Sequence, residues 1–314
     1  MRKSYFYLLI AFFIEQVHPL PVGTVVWRPL RSYASVWENL FNDGDPRHGA
    51  IAWWVAVSLP VLASLLVYYL FLAWNPLLAF GLNVVVLYLT TGFRQFSHHF
   101  SAILEALRGE DLPLARERLR EWRGGQTDLL SSEEVARLTI EEAILACHRH
   151  VFGVAFLFVL LPGPSGAVLY RVADFLARRW GSRRDPEFGQ FGEFARRAFA
   201  VLDWVPVRLT ALSFAVVGNF EDAVHCWREQ AREWPEKPSG ILLASGAGAL
   251  GVRLGAPVRD GMDVLDRPEL GTGVEAGADI MESAVGLVWR TLLMCMLLLG
   301  LMGLANWVGQ LVQA

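Results

Sequence analysis

The chain has 314 residues, 54% of them hydrophobic and only 19% charged, with a mean hydropathy of +0.36 and a net charge of −3. Soluble domains carry about 25% charged residues, so this balance points to an integral membrane protein with the lipid bilayer as its first partner. The lack of net positive charge excludes a strongly basic nucleic-acid binder, and no nucleic acid is expected. Cys147, Cys226 and Cys295 are widely spaced with no CxxC pair, which indicates neither a disulfide framework nor a cysteine zinc site.

Arg2 and Lys3 precede an apolar run at 5–14, but no small-x-small cleavage site follows, so the run reads as a retained first segment. Continuation across Glu15 would bury a carboxylate. An acid at membrane depth is a functional-site candidate, and an interfacial position is the plain structural alternative. Residues 42–48 form a polar turn, and 51–74 is long enough to span. Asn75-Pro76 turns the chain into 77–91, read as a second span of a helical hairpin.

Residues 93–150 are amphipathic and hold eight arginines. Basic loops favour the cytoplasmic side, so this insertion is expected to form a cytoplasmic helical layer. Charge pairing at 115–122 marks a helix ended by Gly124-Gly125, and Ser131-Ser132-Glu133-Glu134 caps the next, which runs toward Arg149.

The stretch 151–177, VFGVAFLFVLLPGPSGAVLYRVADFLA, is apolar but divided by Pro162-Gly163-Pro164-Ser165-Gly166 into two halves of 11 residues. A spanning helix needs about 20 residues, so neither half crosses alone. Irregular backbone at membrane depth needs protein or a watery cavity around it. A re-entrant or broken hairpin is expected, and the basic segment 171–198 beyond it keeps both ends on one face.

Residues 199–217 carry Asp203, Pro206 and Arg208. The two charges are five apart, out of helical register, and Pro206 is expected to bend the path between them. Residues 221–237 read as a polar amphipathic helix. The small-residue run 239–254 allows close helix approach, and a homo-oligomer is kept separately among the candidate partners. A mostly acidic loop at 256–280 precedes a last span at 285–308, with Arg290 snorkelling or paired. The expected fold class is all-α: a polytopic, multi-pass protein of the bacterial inner membrane, one membrane domain over 1–314 with about four to five spans.

Several motifs in this order resemble one family. They are Gly109-Glu110-Asp111-Leu112-Pro113-Leu114-Ala115-Arg116, Glu141-Glu142 before the broken hairpin, LLPGPSGAVLYR, FGQFGEFAR, and Leu202-Asp203-Trp204-Val205-Pro206-Val207-Arg208-Leu209. Pro238-Ser239-Gly240 leading into Gly248-Ala249-Leu250-Gly251-Val252-Arg253-Leu254-Gly255 completes the set. The chain resembles the CobD/CbiB proteins of cobalamin biosynthesis and their relative AmpE.

The resemblance to CobD/CbiB implies adenosylcobinamide-phosphate synthase activity: an aminopropanol phosphate, or aminopropanol, joined to the propionate of cobyric acid with ATP hydrolysis. That chemistry would call for Mg²⁺ on oxygen ligands and cationic clamps. Several acidic positions of the family are replaced here, by Cys147-His148-Arg149-His150, by Phe199-Ala200, and by Gly124-Gly125-Gln126-Thr127. LDWVPVRL, Glu15 and the hairpin entry resemble AmpE more closely. The expectation is therefore AmpE-like ligand sensing or signalling without catalysis, with no certain cofactor. The alternative is the ATP-dependent C–N ligase, to which ATP and Mg²⁺ belong. The small-molecule partner expected is a corrinoid or other anion on the cytoplasmic side.

The ligand-binding candidates are Glu15, Glu141, Glu142, Arg171, Asp203 and Arg208. Asp203 and Arg208 read equally as a structural ion pair, and Glu141 and Glu142 as a solvated helix face. Arg116, Arg171 and Arg253 could clamp an anion, although topology also explains them. His148 and His150, two apart, have the wrong helical spacing for chelation, and no metal site is expected. Cys147 reads as a core residue.

Overall fold

A computed structural model describes residues 4–17, 26–183, 185, 188–260 and 263–313. Arg2 and Lys3 lie outside them. In chain order the first helices are α1 (Ser4–Val17), α2 (Arg28–Phe41), α3 (Pro46–Trp74), α4 (Pro76–Thr90), α5 (Phe93–Arg108) and α6 (Leu112–Arg123). Then come α7 (Ser132–Cys147), a π-helical turn (His148–Phe152), α8 (Gly153–Leu160) and α9 (Ser165–Gly181). They are followed by α10 (Glu193–Leu202), α11 (Trp204–Val217), α12 (Phe220–Glu229) and α13 (Lys237–Leu250). Four short strands precede the last helix: β1 (Leu254–Gly255), β2 (Val258–Asp260), β3 (Asp263–Leu265) and β4 (Glu269–Leu270), then α14 (Ala278–Gln313).

The fold is that of an all-α membrane protein. Among the described residues three helices are long and apolar enough to cross a bilayer: α3, the continuous run Ser132–Leu160, and α14. A fourth crossing is added if α10 and α11 form one broken span. Leu59, Leu62, Leu66 and Leu70 of α3 are exposed, as are Leu293, Leu297, Leu301 and Leu304 of α14. Such three-to-four spacing draws one apolar stripe per helix, and stripes of this length are the surfaces a bilayer covers.

Two sequence expectations change here. Residues 77–91 do not make a full span: α4 has 15 residues, about 22 Å against a hydrocarbon core of about 30 Å. Residues 151–160 are not an isolated half-hairpin either. They end a 29-residue helix begun at Ser132, so the second part of the presumed soluble insertion belongs to a helix long and apolar enough to cross a bilayer. The capping box at its start joins the Ser131 hydroxyl to the Glu134 N–H at 3.2 Å and the Glu134 carboxylate to the Ser131 N–H at 2.8 Å. The π turn takes up the polar His148-Arg149-His150 without ending the helix. π turns recur at functional sites.

The chain divides into two compact units. The first comprises Met1–Phe93, Arg149–Trp204 and Leu299–Ala314. Its inner helix is α9, which packs on α3, α4, α8 and α10. The predicted hairpin is present in it: α8 and α9 lie against each other across the break at 161–164. Gly163 has φ +60°, a left-handed conformation that favours glycine, and a Cβ there would also meet the Tyr68 ring. A Cβ on Gly166 would overlap the Leu157 carbonyl, so the two helices touch through backbone. The apolar core of this unit gathers Trp53, Ala56 and Val57 of α3, Phe175, Leu176 and Trp180 of α9, and Phe188 and Phe191.

The second unit comprises Arg94–His148 and Val205–Leu298. The small residues of α13 pack on α12 and α7, and a Cβ on Gly248 would meet the Asp222 carbonyl at 2.5 Å. The acidic loop is not purely loop: β1 pairs antiparallel with β4, and β2 with β3. The bend expected at Pro206 falls earlier, at Asp203, where α10 ends. Pro206 sits in the first turn of α11, where its missing N–H removes no helical hydrogen bond.

Candidate functional site

Within the first unit, a polar cluster forms around α9 although apolar helices enclose it. Arg171, Asp174 and Arg178 stand at i, i+3 and i+7, which stacks them on one helix face. Arg171 is 3% exposed and Asp174 fully buried. The Arg171 guanidinium donates to the Thr90 carbonyl at the end of α4 and to His150 Nδ1 at 3.1 Å. It lies 3.9 Å from the Asp174 carboxylate and 5.5 Å from the Trp27 ring centre. Arg178 pairs with Asp174 from one turn on. Arginine stays protonated and only donates, so His150 Nδ1 is the acceptor and its imidazole carries the proton on Nε2.

Tyr170, also fully buried, donates its hydroxyl to Asp203 Oδ1 at 2.9 Å. Glu15 is 5% exposed and close enough to Arg171 to act on it electrostatically. Arg171 Nη1 and Asp174 Oδ1 are buried without a hydrogen bond. Donors and acceptors left so are costly, and an ordered water, a bound group or a reaction can account for them.

The fold thus gathers Glu15, Arg171 and Asp203 in one unit. Arg171, counted among topology-setting arginines, is instead buried. The sequence reading weighed His150 as a metal ligand against interfacial hydrogen bonding, and it passed over Tyr170, Thr90, Trp27 and the full role of Asp174. The spacing of 171, 174 and 178 was the available signal; the Thr90 and His150 partners arrive from distant segments and left none.

The other three candidates lie in the second unit. Glu141, on α7, is no solvated face. It is 5% exposed and accepts from the Gly255 N–H at 2.9 Å and from Arg267 Nη1 at 2.8 Å. Arg267 also donates to the carbonyls of Gly255 and Ala256 and lies 5.2 Å from the Trp234 ring centre. Both Glu141 oxygens therefore hold the segment around β1. Glu142 and Arg208 are half-buried on α7 and α11. His148 joins α7 to α11 through Thr210 Oγ1 at 3.0 Å, a structural use of a histidine first weighed as a metal ligand. Arg116 donates to the Leu130 carbonyl, which makes it a loop anchor. His99 stacks on Trp122 at 5.9 Å, and burial pushes its pKa below the usual histidine value. Cys147 is fully buried in the core.

Among the described residues no three His, Cys, Asp or Glu side chains converge into a metal cage. The residues present do not by themselves fit a divalent ion held by protein alone, and Mg²⁺ in nucleotide sites is commonly held through substrate phosphates with one or two carboxylates.

A membrane-embedded, all-α protein with a buried arginine–carboxylate cluster beside a broken hairpin is the class that these observations define. The chain belongs to the CobD/CbiB family: the family described as CobD/Cbib protein matches residues 8–288. It is 37% identical to the cobalamin biosynthesis protein CobD of Stutzerimonas stutzeri, over 80% of this chain and 82% of that protein. It is 38% identical to that of Chromobacterium violaceum, over 73% and 74%. The Synechocystis protein of the same name is 29% identical over 83% and 78%. No solved structure matches. These relatives correct the expectation of AmpE-like sensing without catalysis, since they carry the name of a biosynthetic protein. That expectation rested on individual replaced acids, which weigh less than similarity along most of the chain.

Proposed function

We propose that this chain forms an amide bond in cobalamin assembly, joining the propionate carboxylate of cobyric acid to aminopropanol phosphate or aminopropanol. The observation that carries the reading is the family match over residues 8–288, with relatives named for cobalamin biosynthesis. ATP, as co-substrate, supplies the activation by phosphorylating the carboxylate. The amine nitrogen then forms the C–N bond, phosphate leaves with the electron pair of the C–O bond, and the ammonium proton passes to a base. Such a reaction needs fixed cations where negative charge gathers on phosphate and carboxylate oxygens.

Arg171 suits that role. It is buried, its plane is fixed by Thr90 and His150, and Nη1 has no hydrogen bond. Asp203, fixed by Tyr170, is the buried carboxylate suited to orient a donor group on the substrate. Glu15 and Asp174 balance the cationic charge. Glu141 is a positioning residue through Arg267. The protein sits as a multi-pass protein in the bacterial inner membrane and takes its anionic corrinoid from the cytoplasmic side.

The test is restoration of cobalamin synthesis in a strain lacking its own amide-forming enzyme. Wild-type protein is expected to restore it, and Arg171→Ala to lower the rate by about two orders of magnitude. Arg171→Lys, which keeps the charge but loses the fork, is expected to fall between them. Well-expressed, membrane-inserted wild-type protein that never restores synthesis would overturn the proposal.

A further inference from the structure

A second charged feature lies in the second unit. A cavity of about 510 Å³ opens between the start of α7 and the segment 253–276. Small-molecule sites fall between about 300 and 1,000 Å³. Its walls carry both signs: Arg137 and Arg253 face Glu133, Glu134, Glu269 and Glu275. Side-chain exposure rises from 18% at Arg137 through 43% at Arg253 to 53% at Glu269 and 70% at Glu275. Arg137 therefore marks the floor, and the carboxylates of Glu269 and Glu275 mark the rim.

The two arginines differ in how they are satisfied. Arg253 is held by Glu269 at 3.5 Å and Glu275 at 3.1 Å. Arg137 approaches Glu134 only at 4.0 Å, so among the described residues no carboxylate closes on its guanidinium. Glu134 is committed to the capping box. The floor thus holds a cation short of acceptors, under a rim with an excess of carboxylates.

The cavity is also preformed. Its wall at Leu254 and Ala256 is pinned by Glu141 to Gly255 and Arg267, by Arg267 to the Ala256 carbonyl, and by the pairing of β1 with β4. A rigid wall lowers the ordering cost of binding.

We propose that this cavity binds a small dipolar ion, with an anionic group on Arg137 and an ammonium among Glu133, Glu269 and Glu275. The inference rests on the amide-forming reading and gives the amine co-substrate of that reaction its binding residues in the second unit.

The experiment is calorimetric titration of the full chain in detergent with phosphoethanolamine, and separately with inorganic phosphate and with ethanolamine. The dipolar ion is expected to bind more tightly than either half, and Arg137→Ala to weaken it about tenfold or more. If Arg137→Ala does not fold, Glu269→Gln and Glu275→Gln carry the test, since both sites are more than half exposed. They should weaken the dipolar ion severalfold and leave inorganic phosphate unchanged. Binding that survives these variants but is lost in Arg171→Ala would overturn the cavity assignment while leaving amide formation intact. No binding of the dipolar ion by protein that restores cobalamin synthesis would overturn it as well. Failure of that restoration would strike the reaction itself.

Discussion

Glu141 shows how one side chain can be singled out correctly and still be given the wrong surroundings. Its position before the hairpin was legible, but its partners, Gly255 and Arg267, stand 114 and 126 residues away in the chain. Side chains of Glu141 and Arg267 are 6% and 11% exposed, so removing one leaves the other charge buried and uncompensated. Glu141→Ala is expected to lower stability by about 3–5 kcal/mol. Glu141→Gln, which still accepts from the Gly255 N–H, should cost less. Thermal unfolding of both variants checks this, and a Glu141→Gln protein that melts like wild type would mean the charge pair contributes nothing. Arg171 carries the same lesson: arginine in a basic segment reads as a topology signal, and only the Thr90 carbonyl and His150 show it to be an interior group.

At the scale of elements, the Pro162-Gly163-Pro164 break was legible because proline and glycine act locally. The helix before it was misjudged because a π turn lets polar His148-Arg149-His150 continue an apolar helix. In that turn the two imidazoles find partners in Thr210 and Arg171, which come from other segments of the chain. The contact of α8 with α9 depends on Gly166, whose added Cβ would strike backbone rather than a yielding side chain. Gly166→Leu is therefore expected to destabilise by about 1–3 kcal/mol or more. Gly81→Ala in α4 meets open space and should be neutral or stabilising by up to about 1 kcal/mol. Melting temperatures of the two variants should move apart. A Gly166→Leu protein that melts like wild type would mean the hairpin is not packed through this glycine.

For the whole molecule, the crossings rest on length. The 29 residues of α3 extend about 44 Å, beyond the hydrocarbon core of about 30 Å. Reporter fusions placed after residues 44 and 75 are expected to report opposite sides of the membrane. The same side for both would remove α3 as a crossing. Each unit draws on separated parts of the chain, the first on three segments and the second on two. Residues 94–148, most of the insertion read at 93–150, group with 205–298.

The sequence by itself determined the all-α membrane class, the position of the hairpin break and the family motifs. Each follows from composition, from residue-specific backbone restriction or from short runs read in order. The tertiary structure alone decided which charges are interior and what satisfies them. It set Arg171 on Thr90 and His150, Tyr170 on Asp203, and Glu141 on Arg267. The physical reason is that a buried charge is defined by its partners, and here most of those partners come from segments far away along the chain.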